Sequence, residues 1–218
     1  MKDYAAYSSL VVATIGNVKQ YIGLTSSGVV SVSADKGTKL WSDSLGSNAI
    51  AVIPTPIVQG DQVYVTSNYP DGTSGALKIS GTGTTFKAEK VYETTKILKN
   101  HHGGVVLVDD HLYGFNGNGR GEWICINFKT GLPKWTIEDG SSLEKGSLTY
   151  ADGSLYCYGQ RTGTLVKIAA NAGGWKEEAR LQIPIQDPNR SKQGGIWTHP
   201  VVANGKLFLR DQRYIFCY

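Results

Sequence analysis

Two histidines stand side by side in "KNHHGGVVLVDDHLYGF", residues 99–115, ahead of two glycines and an apolar run. Imidazoles at His101 and His102 could relay a proton or ligate a metal, because histidine titrates near neutrality and binds metals more often than any other side chain. Adjacent residues entering a strand point to opposite sides, so at most one of the pair faces a given site. Zinc would need further ligands close by, and His199 is the one histidine partner that the pattern offers. The plainer reading is that one ring bonds to a neighbouring loop and the other meets solvent. Gly103 and Gly104 are expected to mark a close backbone approach rather than a phosphate cradle. The loop "NGNGRG" lacks the strand-to-helix setting of a nucleotide fingerprint and is expected to be a hairpin turn. No nucleophile–base pair emerges, so the catalytic residues are unknown and no metal is expected.

Cysteine chemistry is equally sparse. Cys125, Cys157 and Cys217 form no C-x-x-C pair, and each sits in an apolar strand pattern, which predicts buried free thiols. The 22 basic and 18 acidic residues are spread along the chain. Nucleic-acid binding calls for a clustered basic stripe, so no nucleic-acid partner is expected. No run of 18 apolar residues exists to span a membrane. The N-terminus "MKDYAAYSSL" has no apolar segment of signal-peptide length.

The elements that would position these residues follow from an internal repeat. The segments "KQYIGLTS", "DQVYVTSN", "DHLYGFNG", "GSLYCYGQ" and "GKLFLRDQ" align, with Tyr21, Val63, Leu112, Leu155 and Leu207 in one column, at intervals of 42, 49, 43 and 52. A second column holds Val32, Ile79, Ile126, Ile168 and Tyr218, each two residues after Val30, Leu77, Ile124, Val166 or Phe216. Apolar residues two apart face one side of a sheet. The third copy resolves into strands at about 103–109, 111–116, 122–128 and 133–138, joined by turns rich in Gly, Asn and Asp. A four-stranded antiparallel unit of about 40–50 residues, repeated in tandem, is the blade of a β-propeller. The fold class expected is all-β, a propeller of about five blades in a single domain over 1–218. Its blades fall roughly at 8–46, 53–94, 102–139, 146–184 and 198–218, the last incomplete.

The blade punctuation, Gly37-x-x-x-Trp41 in "GVVSVSADKGTKLW" and Gly131-x-x-x-Trp135 in "GEWICINFKTGLPKW", resembles that of the PQQ-like (pyrroloquinoline-quinone-like) β-propeller repeat family. "CINFKTGLPKW" matches best, with Asn127 where the family often has Asp. Trp41, Trp135, Trp175 and Phe86 are expected to pack on outer strands, and Trp123 to cover a blade edge. The fifth copy stops inside its third strand, and the chain looks like the C-terminal part of a longer propeller. Uncovered blade faces would be large apolar patches, so self-association is expected.

In a propeller, the loops leading into the first strands converge on the channel mouth. That expectation gathers Tyr7, Ser9, Thr55, His101, His102, Lys145, Ser147, Trp197, His199 and Arg210 as ligand-binding candidates, with Ser8 and Thr198 beside them. The neighbouring loops "SNYPDGTSG", "NGNGRG", "GQRTG" and "RDQR" add Asn68, Tyr69, Asp71, Asn118, Arg120, Arg161, Asp211 and Arg213. Arg210, Asp211 and Arg213 could bind an anion or form a surface ion-pair cluster. Trp197 could stack on a ligand.

The resemblance implies two functional classes. Its redox members hold a quinone against a tryptophan and, in the best-known alcohol dehydrogenases, a vicinal Cys-Cys disulfide, with a calcium ion bound by carboxylate and amide groups. This sequence has no adjacent cysteines and no recognisable calcium set, so PQQ with calcium is disfavoured and no cofactor is expected. Other members are non-catalytic and act through protein contacts. The function expected is therefore that of a binding or scaffolding module, recognising a protein segment or a polar small molecule at the channel mouth. A quinone-dependent alcohol or sugar dehydrogenase is the alternative. The family implies a periplasmic or otherwise exported location.

Overall fold

The computed structural model describes residues 3–138, 143–191 and 194–218. Among them there is no helix, and 19 strands make five antiparallel sheets. The first sheet is β1 (Val11–Ile15), β2 (Val18–Thr25), β3 (Gly28–Ser33) and β4 (Lys39–Asp43). The second is β5 (Ile57–Gln59), β6 (Gln62–Thr66), β7 (Ser74–Thr82) and β8 (Thr85–Thr94). The third is β9 (Val105–Val108), β10 (His111–Gly117), β11 (Gly121–Asn127) and β12 (Pro133–Glu138). The fourth is β13 (Gly146–Ala151), β14 (Ser154–Gly159), β15 (Thr164–Ala169) and β16 (Glu177–Gln182). The last has three strands, β17 (Val201–Ala203), β18 (Lys206–Asp211) and β19 (Tyr214–Cys217). Each is a meander of sequential neighbours. This is the all-β propeller architecture of about five blades that the repeat predicts.

The two sequence columns are the registers that build these sheets. Tyr21 pairs with Val32 and Leu155 with Ile168, so the columns meet across the second and third strands, whereas in sheet two Val63 pairs with Leu77, two residues before the column's Ile79. A bulge interrupts the pairing of third and fourth strands at Ser31/Val32, Cys125/Ile126 and Lys167/Ile168, the same column each time, and at Ala76/Leu77 in the second sheet. An extra residue there raises the local twist of the outer strand.

The turn after the third strand explains the blade punctuation. Asn127 Oδ1 accepts from the backbone N–H groups of Lys129 (3.1 Å) and Thr130 (3.0 Å), the role an aspartate would play. Gly131 then takes φ 71° and donates to Asn127 O at 2.8 Å. Gly37, φ 66°, repeats that bond to Ser33 O at 2.9 Å.

The chain divides into two compact units, residues 1–101 with 127–132, and residues 102–126 with 133–218. In the first unit, Ile15, Ile22, Leu24, Val29 and Trp41 of sheet one pack with Val63, Val65, Leu77 and Ile79 of sheet two. A buried polar group ties that face together: Gln20 Oε1 accepts from Trp41 Nε1 (2.9 Å) and Ser31 Oγ (2.7 Å). In the second unit, Phe115, Trp123 and Cys125 of sheet three pack with Leu155, Cys157, Val166 and Ile168 of sheet four. Tyr158 and Leu165 of sheet four pack in turn with Leu207, Leu209 and Phe216 of sheet five. Burying about 25 cal/mol per Å² of apolar surface, these face-to-face contacts are what a lone blade lacks. Trp123 is not an edge cover: its indole is 1% exposed and donates to Leu143 O at 3.0 Å. Trp175 precedes β16 and Phe86 is the second residue of β8, and both pack against core clusters.

Candidate functional site

The adjacent imidazoles part company. His101 belongs to the first unit, where its Nε2 lies 3.0 Å from Tyr69 OH and its ring stands edge-on to that tyrosine at 5.1 Å. Tyr69 adopts φ 70° and its carbonyl accepts from Lys99 Nζ at 3.0 Å, which fixes the ring's partner. His102 belongs to the second unit, with Nε2 at 2.9 Å from Gln160 Oε1 and its ring 5.7 Å from that of Trp197. Each histidine thus meets a neighbouring loop.

Burial, aided by the positive charge of Lys145, pulls His102 down to a pKa of about 4. Its imidazole is therefore neutral at pH 7, able to bond to Gln160 and lie near an indole without placing a second charge beside Lys145. Lys145 is itself only 3% exposed and donates to Asn118 Oδ1 at 3.0 Å. Ser147, also buried, donates through Oγ to Thr198 O at 2.8 Å. His199 Nδ1 lies 3.0 Å from Leu148 O, and its ring fills the space beside Gly104. The glycine pair does mark a close approach: a Cβ on Gly103 would stand 1.9 Å from Gly146 O, and Gly104 has φ 75°.

Trp197 is the exposed aromatic of this cluster, with 57% of its surface open. With Gly195, Ile196, Thr198, Arg210 and Gln212 it lines a cleft of about 270 Å³. Thr198 Oγ1 donates to Arg210 O (2.9 Å), Arg210 Nε to Gln212 O (2.7 Å), and Gln212 Nε2 to Gly195 O (3.2 Å). The cleft therefore joins the segment before β17 to the β18–β19 turn. Gln160 and Gln212 were missed as site residues, although both lie in turns, "GQRTG" and "RDQR", that the repeat marks.

In the first unit, Tyr7 is 74% exposed and its backbone N–H donates to Val52 O at 3.0 Å. Ser9 N–H reaches Thr55 Oγ1 at 3.3 Å, which places those two candidates together. The candidates are thus shared between the units: Tyr7, Ser9, Thr55 and His101 in one; His102, Lys145, Ser147, Trp197, His199 and Arg210 in the other.

Asp211 departs from both readings made for it. It is fully buried and bidentately paired with Arg190, whose Nε lies 3.0 Å from its Oδ1. It also accepts from Asp187 N–H at 2.9 Å, while Arg213 pairs with Asp187 at 3.3 Å. This internal tie pins the long segment before β17 to the last hairpin, and neither an exposed ion-pair cluster nor an anion cradle describes it.

The donors that a quinone–calcium pair requires do not fit. Cys125 and Cys157 are buried free thiols in separate strands, with Cys125 pushed up to about 11 by burial and Cys157 pushed up further. Cys217 is exposed instead of buried. Among the described residues no three His, Cys, Asp or Glu side chains lie close enough to hold a metal ion, and no helix is long and apolar enough to cross a membrane.

Sequential meanders of four strands, three in the last, packed face on face within each unit, make this a β-propeller protein. The chain belongs to the family whose model is described as the outer membrane protein assembly factor BamB, matched over residues 2–137. No curated protein sequence matches it significantly. Among solved structures it is similar to the quinohemoprotein alcohol dehydrogenase ADHIIG from Pseudomonas putida HK5, at 15% identity and a TM-score of 0.67, covering 95% of this chain and 39% of that one. A Lactobacillus plantarum protein gives 10% identity and a TM-score of 0.66, covering 100% and 71%. The Cps50 (Swd1) β-propeller domain of Myceliophteria thermophila gives 13% and 0.53, covering 70% and 50%. At these identities the likenesses establish the propeller fold, and the chain spans well under half the length of the dehydrogenase.

Proposed function

We propose that the protein is a non-catalytic binding propeller whose cleft at Trp197 and Arg210 takes a polar portion of a ligand, foremost a segment of a partner protein. The observation that carries this reading is the exposed Trp197 indole, braced by His102 and facing a small cleft that also holds a guanidinium and an amide. An aromatic face with fixed polar groups is suited to stacking plus hydrogen bonding. About 270 Å³ is the volume of a side chain or a single sugar ring, so the cleft would hold only part of a larger ligand. The neutral, internally bonded His102 and the buried Lys145 and Ser147 leave no nucleophile–base pair in reach of it. Membership of an assembly-factor family favours a protein ligand, and an exported setting goes with that reading.

Tryptophan fluorescence tests it, with titration by acidic and aromatic peptides, by neutral and acidic oligosaccharides, and by PQQ with calcium. A saturable response to a peptide or saccharide is expected, weakened at least ~10-fold (about 1.4 kcal/mol) in Trp197→Ala and in Arg210→Ala with little change in melting temperature. Stoichiometric PQQ binding, or affinity indifferent to both substitutions, would overturn the proposal.

A further inference from the structure

Three steps in the chain read Asn-Gly: Asn116-Gly117, Asn118-Gly119 and Asn204-Gly205. At such a step a protein loses side-chain ammonia most readily, because glycine leaves the next backbone nitrogen unscreened by any Cβ. The three differ in what surrounds the amide. Asn116 lies inside β10, and its Nδ2, the group that would leave, donates to Glu122 Oε1 at 3.0 Å. Asn204 and Gly205 form the turn between β17 and β18, with left-handed φ of 52° and 70°.

Asn118 combines what the other two lack. It and Gly119 are exposed on a bend between the end of β10 at Gly117 and the start of β11 at Gly121, outside the ladder. Nothing stands within 4 Å of the place that a Cβ on Gly119 would take. Asn118 Oδ1 accepts from Lys145 Nζ at 3.0 Å, an ammonium group carried by a residue that is only 3% exposed. Held away from bulk water, that charge is weakly screened. It draws electron density from Cγ and already sits where negative charge grows on the oxygen during attack. A preorganised donor lowers a barrier in this way.

From this juxtaposition we infer that Asn118 is a self-modification site, converted by water to an acidic residue, with Lys145 stabilising the oxyanion. The Gly119 nitrogen forms a bond to Asn118 Cγ while the Cγ–Nδ2 bond breaks, and the amide proton of Gly119 leaves with Nδ2 as ammonia. One water then opens the cyclic imide at either carbonyl, leaving aspartate or its β-linked isomer at 118. No electrons change hands, and water is the one co-reactant. In the aspartate form, a neutral acceptor of Lys145 becomes the anionic partner of a charge-assisted hydrogen bond. The tie between the β10–β11 turn and the segment entering β13 is thereby tightened.

The test incubates the chain at pH 7 in water enriched in oxygen-18 and follows each Asn-Gly peptide by mass spectrometry after digestion. Ion exchange isolates the product, whose net charge is one unit below the +4 of the chain. Asn118 is expected to convert at least ~10-fold faster than Asn116 and Asn204, a fraction of what one oxyanion donor gives an enzyme site. Each event should take up one labelled oxygen. In urea, where Lys145 no longer reaches Asn118, the three rates should converge. Lys145→Met should lower the Asn118 rate to that of Asn204; if circular dichroism shows this variant unfolded, the comparison of native chain with urea decides alone. Equal rates at Asn118 and Asn204 in the folded chain, or a rate unchanged in folded Lys145→Met, would overturn the inference. So would loss of ammonia with a Lys145–Asn118 cross-link and no uptake of label.

Discussion

His102 shows how far one side chain's setting departs from what its neighbours in the chain suggest. It is adjacent to His101, yet the two contact different loops from the bend that leads into β9. Their parting was legible in the sequence; the partners Tyr69, Gln160 and Trp197 were not, since they come from connecting segments 32 to 95 residues away whose approach depends on sheet twist. Its lowered pKa carries a sign that can be measured. The unfolded imidazole takes up a proton near pH 6.5 while the folded one resists until about 4, so the folded state binds fewer protons and loses stability as pH falls through that window. At roughly 1.4 kcal/mol per unit, the loss attributable to this group is at most about 3–4 kcal/mol. Denaturant melts at pH 7 and pH 4.5 should therefore show a steeper acid loss for the wild type than for His102→Gln. Equal slopes would mean that the ring titrates normally.

At the level of strands and turns, the sequence was most informative where a rule of spacing applied. The two apolar columns located the second and third strands of every sheet, and β12 begins and ends where the spacing predicts, at 133 and 138. It was least informative between sheets. The N-terminal segment, which bridges Ala5 to Thr25, and the stretch held by Arg190 and Asp211 carry no period, and their anchors are scattered long-range side-chain and backbone contacts rather than a ladder. The glycines divide by the same logic. Gly103 leaves no room beside Gly146 O, so Gly103→Ala should destabilise by about 3 kcal/mol or more through overpacking. Gly153 has φ 77° but open space around it, so Gly153→Ala should cost only about 1–2 kcal/mol for the left-handed backbone. Calorimetric melting of both variants checks the order, and a reversal would show that backbone freedom rather than space governs the β9 approach.

Over the whole molecule, stability in such arrays is close to a sum of blade terms and neighbour terms. Among the described residues, sheet four packs with sheets three and five, and sheet five, which has three strands, packs with sheet four. Amides of β18 and β19 are accordingly expected to exchange with deuterium at least ~10-fold faster than those of β14 and β15, a difference of about 1.4 kcal/mol in local opening. Uniform protection across both sheets would indicate that the second unit opens only as a whole. The cleft at Trp197 sits on the segment leading into that three-stranded sheet. Ligand affinity and sheet-five opening should therefore be linked, since whatever binds the closed form holds it closed.

The turn at 127–132 belongs to the first unit although its flanking strands belong to the second. Tyr92 donates to Phe128 O at 2.8 Å, and its ring lies where a side chain on Gly131 would go. The acceptor of this bond, Phe128, lies 34 residues beyond Thr94, where the last sheet of the amino-terminal unit ends. A chain synthesised only as far as residue 101 therefore carries a tyrosine whose acceptor has not yet been made.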